Sequence, residues 1–310
     1  MKQTITRFLL TLPVVWLVVS LVFLLIHLVP GDPIQMMLGE GATPADIGAL
    51  RHQYGLDRPL WYQYLHYWAG AVHGNLGQSI RLHDSVAHLI AQRYPFTITL
   101  TLTSLALAIV LALPAGILAA LKRGRFLDQA LSVISLGGLS VPAIALGPVL
   151  ILVFSIKIGW TPVSGANAGG STAIDWRYLI LPSIAMGASL AAILTRMVRT
   201  AMLEELGQDY IRTARAKGLS ETAVLWRHAL PNALVPIVTV IGLQFGALLA
   251  GAIVTETIFS WPGLGRLTVS AIDNRDYALV QGCLLAIGLT YVLVNFFTDV
   301  VYTLINPRMR

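Results

Sequence analysis

Apolar residues run through this chain in long stretches, and the polar residues collect between them. A helix that crosses a bilayer needs about 20 largely apolar residues. Six windows reach that length, roughly 8–29, 98–121, 130–156, 178–198, 233–255 and 278–303. Between them lie one long polar segment, 31–95, and one basic segment, 204–231. The pattern predicts an all-α integral membrane protein of six transmembrane helices with a small helical outer insertion. It divides the chain into an N-terminal transmembrane helix at 1–30, the insertion at 31–95, and a five-helix core at 96–310 that carries the 204–231 loop.

Local signals place helices inside the insertion. Thr43-Pro44-Ala45-Asp46 offers an N-cap, a proline at the first helical position and an acid in the first turn, so a helix is expected over 44–54, stopped by Gly55. Trp61, Tyr64, Leu65, Trp68 and Val72 then recur at helical spacing up to Gly74, a stripe suited to the membrane interface or to capping the bundle. A third helix, 85–94, leads into the second span. Within the spans, Pro114, Gly137-Gly138, Pro142, Gly147-Pro148, Pro182 and Pro236 are breakers that packing in lipid can accommodate, at the expense of bends.

Composition agrees with a membrane protein: 56% of the 310 residues are hydrophobic and only 12% charged. The net charge of +6 brings in orientation. With both termini inside, thirteen Lys and Arg lie on the cytoplasmic side and eight outside, four of those in the one long loop where the rule is weakest. Both termini are therefore expected in the cytoplasm of a multi-pass inner (plasma) membrane protein. The basic residues follow topology and form no separate patch, so nucleic acid is not an expected partner. The single Cys283 lies within the last window and can form no internal disulfide.

The basic segment carries the sharpest pattern. Asp209, Tyr210, Ile211, Arg212, Thr213, Ala214, Arg215, Ala216 and Lys217 precede Gly218 and Leu219, and nine residues after Gly218 comes His228-Ala229-Leu230-Pro231. Helical spacing puts Ile211, Ala214 and Gly218 on one face, where small side chains would let a partner approach closely. Gly218 suits a left-handed stop, Ser220 an N-cap, and Pro231 the opening of the next span. The expected product is a helix, a sharp turn and a second helix containing Leu225 and Trp226: a rigid lever.

This segment resembles the cytoplasmic coupling loop of permease subunits in ATP-binding-cassette importers, whose general pattern is Glu-Ala-Ala, three residues, Gly, nine residues, Ile, one residue, Leu-Pro. Ala214, Gly218, Leu230 and Pro231 match; Arg212, Thr213 and His228 depart in the manner of the dipeptide, oligopeptide and nickel branch. Gly31-Asp32-Pro33, the run 55–59, the run 74–79, the run 255–266 and Asn306-Pro307-Arg308 also resemble motifs of that branch.

The resemblance implies a non-catalytic translocation subunit. It implies partnership with a second related permease, two ATPase subunits, a substrate-binding protein and the lipid membrane. ATP and Mg would be bound by the ATPases, with no cofactor in this chain. It places Trp261, Pro262 and Gly263 at the outer pathway mouth or the docked binding protein.

Dipeptides or oligopeptides are the expected cargo, with nickel or glutathione as alternatives within the importer class; a passive channel and a membrane enzyme are the distant ones. Gln244, Asn295, Glu256 and Asp299 are the polar residues near or within spans; Glu256 and Asp299 lie near span ends, and Gln244 is the deeper candidate for the pathway. No phosphate-binding Gly-x-x-x-x-Gly-Lys-Ser/Thr loop, His-Glu-x-x-His pair or cysteine cluster appears in the sequence. Gly138-Leu139-Ser140 begins like a nucleophile elbow, but Pro142 stands where the second glycine belongs.

Overall fold

The computed structural model describes residues 2–28, 34, 43–53, 55–167 and 174–305. The motifs Gly31-Asp32-Pro33 and Asn306-Pro307-Arg308 lie outside the described residues, as does position 54 at the end of the first insertion helix. The described chain is helical, with no strand beyond an isolated bridge between Gln78 and Ser85. In chain order its helices are α1 (Lys2–Leu28), α2 (Pro44–Gln53), α3 (Leu60–Val72), α4 (Val86–Leu121), α5 (Phe126–Ser140), α6 (Ala143–Leu150), α7 (Trp176–Leu206), α8 (Asp209–Ala216), α9 (Glu221–Ile258), α10 (Leu264–Asp273) and α11 (Tyr277–Ile305).

Four helices are long and apolar enough to cross a membrane unbroken: α4, α7, α9 and the Tyr277–Val301 part of α11. The expected single span at 130–156 is instead two helices, α5 and α6, bent by 100° at Ser140–Ala143. Proline causes this break. Pro142 supplies no N–H, and its ring forces the preceding Val141 out of the helical region, to φ −96°, ψ 111°. Helix α1 runs 27 residues and carries the first apolar window. The expected separate helix at 85–94 is also absent, because α4 runs without a break from Val86 into the second span.

The chain divides into two compact units, Met1–Thr97 with Pro262–Leu293, and Ile98–Trp261 with Val294–Arg310. In the first unit, Thr43 and Asp46 cap α2 reciprocally: the Asp46 N–H donates to Thr43 Oγ1 at 3.2 Å, and Thr43 N–H and Oγ1–H donate to the Asp46 carboxylate. Tyr67, Trp68 and Ala71 of α3 pack on Val15, Val18, Val19 and Val22 of α1, while Trp61 and Leu65 remain exposed. Asp276, buried between α10 and α11, accepts from Ser79 Oγ at 2.5 Å and from the Leu279 N–H at 3.2 Å.

The second unit is organised about α7, the most buried span, with 61% of its apolar window covered. Glycine makes its seam with α4 close. A Cβ on Gly187 of α7 would lie 2.8 Å from the Ser104 carbonyl oxygen, and one on Gly116 of α4 would lie 2.8 Å from the Thr195 carbonyl oxygen. Thr103 and Ser183 share a hydrogen bond across the same seam at 2.9 Å. Nearer the end of α7, Arg199 grips the buried Asp128 of α5 through Nε at 2.6 Å and through a second guanidinium nitrogen at 2.8 Å. The Gly124 N–H donates to the same carboxylate at 2.9 Å, so one buried charge is fully partnered.

Candidate functional site

The basic segment folds as helix, turn, helix. Helix α8 starts after Gln208, with Asp209 in its first turn and Arg215 in its last, an arrangement that suits the helix dipole. It ends because Gly218 takes φ +80°, a left-handed conformation that strains any residue with a Cβ. The Gly218 N–H donates to the Arg215 carbonyl at 2.9 Å, closing the turn. Ser220 then accepts from the Ala223 N–H at 3.3 Å and caps α9.

Ile211 and Ala214 do not form the open, partner-facing surface that helical spacing suggested. They are 0% and 6% exposed, packed with Ile117, Val198, Met202, Val224, Ala229, Ala233 and Ile237. An amphipathic helix turns its apolar stripe to the nearest apolar surface, here the end of its own bundle. The face left open carries Asp209, Tyr210, Arg212, Thr213, Arg215, Lys217, Gly218 and Leu219. A Cβ added at Gly218 meets nothing within 4 Å, so the turn projects outward.

Polar contacts make the segment one piece. Arg215 bridges the Gly218 turn to Glu221 with two bonds, at 2.8 Å and 3.1 Å. This pair holds the Glu221 carboxyl below its ordinary range and raises Arg215. The bridge is thus formed at neutral pH and is lost as pH falls through the carboxylate range, and being exposed it is weakened by salt. Tyr210 donates to Glu205 and accepts from Asn232 Nδ2 at 2.9 Å, tying the end of α7 to α8 and α9. Burial and the Glu205 carboxylate raise its hydroxyl above the ordinary value, keeping it a proton donor.

Pro231 stands in the first turn of the α-helical part of its span, Leu230–Ile258, as the sequence suggested. Helix α9 runs continuously through it, with a π-helical stretch at Val224–Ala229 immediately before. A proline inside a helix lacks a donor and crowds the preceding turn, and the wider π turn relieves that crowding. Asn232 Nδ2 also donates to the His228 carbonyl at 3.3 Å. The helix that follows the turn is therefore 38 residues, long and apolar enough to cross a membrane.

The other expected site residues are placed differently. Trp261 is 0% exposed, Gly263 is buried and Pro262 half-buried, so at a mouth they would act by shaping the backbone. Gln244 is half-buried on α9 and lines neither cavity of the second unit. Glu256 is fully buried near the end of α9, and Asp299 is exposed. Sequence reading missed Arg196, Thr200 and Glu204, which line a 420 Å³ cavity with Leu139 and Pro236. Their signal was an arginine eight residues before a glutamate near the end of one span.

The family model described as "Binding-protein-dependent transport system inner membrane component" matches residues 112–310, and the model of the corresponding N-terminal region matches residues 1–101. Glutathione transport system permease proteins GsiC of Escherichia coli strain K12 and of Shigella dysenteriae serotype 1 are each 44% identical over 310 residues, covering 100% of this chain and 99% of theirs. Among solved structures, an inward-facing MetNI methionine ABC transporter chain matches with a TM-score of 0.59 at 20% identity, over 70% of this chain and 96% of that one. An amino acid ABC transporter chain matches with a TM-score of 0.52 at 14% identity, over 71% of this chain and 94% of that one. These two establish the likeness of fold. By its family match and its full-length relatives, the chain belongs to the inner membrane components of binding-protein-dependent transport systems and is a permease subunit of an ABC importer.

Proposed function

We propose that this permease carries short peptides, from dipeptides to glutathione, into the cytoplasm. The observation that carries this reading is the 44% identity, across the whole chain, to permeases of glutathione transport systems. Glutathione is itself a tripeptide, so these relatives and the peptide-branch motifs agree on chemistry. In the working assembly this chain pairs with a second related permease, two ATPase subunits and a binding protein. The ATPases hold ATP and Mg, and this subunit performs no catalysis. Six crossings, with α5 and α6 together forming one, leave both termini and the 204–231 loop in the cytoplasm.

The loop geometry supports a coupling role. When the ATPases close on ATP, a partner seated on the open face of α8 and the Gly218 turn moves a rigid piece joined to α7 and α9. Such a dock transmits work only if it binds differently in the inward and outward states.

Proteoliposomes containing the complete importer test the cargo. Labelled glutathione and dialanine are expected to enter, dependent on internal ATP and loaded binding protein, while nickel does not. Nickel entry without peptide entry overturns the peptide reading, and peptide entry without ATP marks a passive channel. Orientation is tested separately, with Thr222→Cys in a Cys283→Ser background. The new thiol is expected to resist an impermeant maleimide in intact cells and to react once the membrane is opened. Reaction in intact cells reverses the topology.

A further inference from the structure

One open groove of the second unit is lined by two opposite charges that have no partner among the described residues. Arg196, Thr200 and Glu204 follow one another on α7, and Leu139 of α5 and Pro236 of α9 flank the open 420 Å³ space. A smaller cavity of 230 Å³, lined by Ser132, Leu136 and Arg199, shares Arg196 and Thr200 with it. Arg196 therefore stands where the two spaces meet.

The two arginines of this region are treated differently by the fold. Arg199 is neutralised by the buried Asp128 at 2.6 Å. Among the described residues, neither the Arg196 guanidinium nor the Glu204 carboxylate has an ion-pair or hydrogen-bond partner. Arg196, Thr200 and Glu204 are all exposed, so the space is an open groove whose two charges are free to meet a solute entering from water. Eight helical residues separate the two groups by about 12 Å along the axis. An extended tripeptide spans about 10 Å, and both side chains are long enough to take up the difference.

Resting on the peptide reading above, we propose that this groove is a transit site for short zwitterionic peptides, in which Arg196 receives the free carboxylate and Glu204 the ammonium group. Arg196 presents a planar fork of N–H donors, the geometry that pairs bidentately with a carboxylate. Thr200 adds a hydroxyl between the charges, and Leu139, Met197 and Pro236 leave apolar wall for a variable side chain. Arg196 is a positioning and specificity residue; the ATPases still do the work.

The test uses the complete importer in proteoliposomes, with labelled glutathione as probe and its binding protein supplied. For Arg196→Gln, uptake per ATP hydrolysed is expected to fall about tenfold, the loss of one charge-assisted pair, while membrane abundance and binding-protein-stimulated ATP hydrolysis stay within about twofold. Arg196→Lys keeps the charge without the fork and is expected to recover part of the uptake. Without binding protein, glutathione is expected to raise the melting temperature of the wild-type complex, whereas its diethyl ester, with both carboxylates masked, does not. Wild-type uptake of glutathione that is unchanged in Arg196→Gln overturns this site and leaves the peptide reading standing. A wild-type importer that takes up no peptide overturns both. Equal stabilisation by the diester overturns the carboxylate assignment.

Discussion

A Gly218→Val permease is expected to reach the membrane at near-normal abundance and to lose transport by tenfold or more. Gly218 sits at φ +80°, and a left-handed β-branched residue there is disfavoured by about 1–2 kcal/mol. Beyond its chain neighbours, no described residue lies within 4 Å of the added Cβ, so strain is confined to the turn. The added branches instead enter the space where an ATPase would seat. Uptake and binding-protein-stimulated ATP hydrolysis in proteoliposomes check this outcome. Gly218→Asn separates the two causes, because asparagine tolerates the left-handed region but still fills the space. If the obstruction matters, Gly218→Asn also transports poorly; if only strain matters, it transports well. Normal transport by Gly218→Val defeats the lever account.

Gly187→Val is expected to do the opposite, removing the protein rather than its coupling. Its Cβ would stand 2.8 Å from the backbone carbonyl oxygen of Ser104, an atom that cannot swing away as a side-chain end can. Helix α7 would have to move off α4, opening the seam that also holds the Thr103–Ser183 hydrogen bond. Overpacking of this kind is destabilising by about 3 kcal/mol. Membrane abundance is expected to fall at least fivefold, with increased protease sensitivity in what remains, and Gly187→Ala should lie between. A Gly187→Val protein at wild-type abundance would show that the α4–α7 approach is slack. The two valine substitutions therefore separate a glycine kept for backbone shape from one kept for helix contact.

Much of the candidate site was legible in the sequence because its signals are local. Gly218 as a stop and Ser220 as a cap depend only on neighbouring residues, and both stand where spacing placed them. The capping pair Thr43 and Asp46 was legible for the same reason. What spacing could not give was the direction of a face. Ile211 and Ala214 share one side of α8, but whether that side meets a partner or its own bundle depends on Val198, Met202 and Ala233, which lie far away in sequence. Pro231 does stand in the first turn of Leu230–Ile258, but the π-helical stretch that runs into it without a break carried no local signal.

By itself, the sequence determined that the chain is helical and membrane-embedded, where the exposed turn falls, and which family its motifs resemble. Apolar run length, capping chemistry and glycine conformation act over a few residues, so each is written in consecutive positions. Tertiary structure alone decided that the third apolar window folds back by 100°, that Asp128 is spent on Arg199, and that Arg196 is left unpaired beside a cavity. Pairing of charges and closure of space are set by which helices come to lie side by side. Asp128 and Arg199 are 71 residues apart in the chain, and only the packing of α5 against α7 brings that carboxylate to one arginine rather than to the other three residues away.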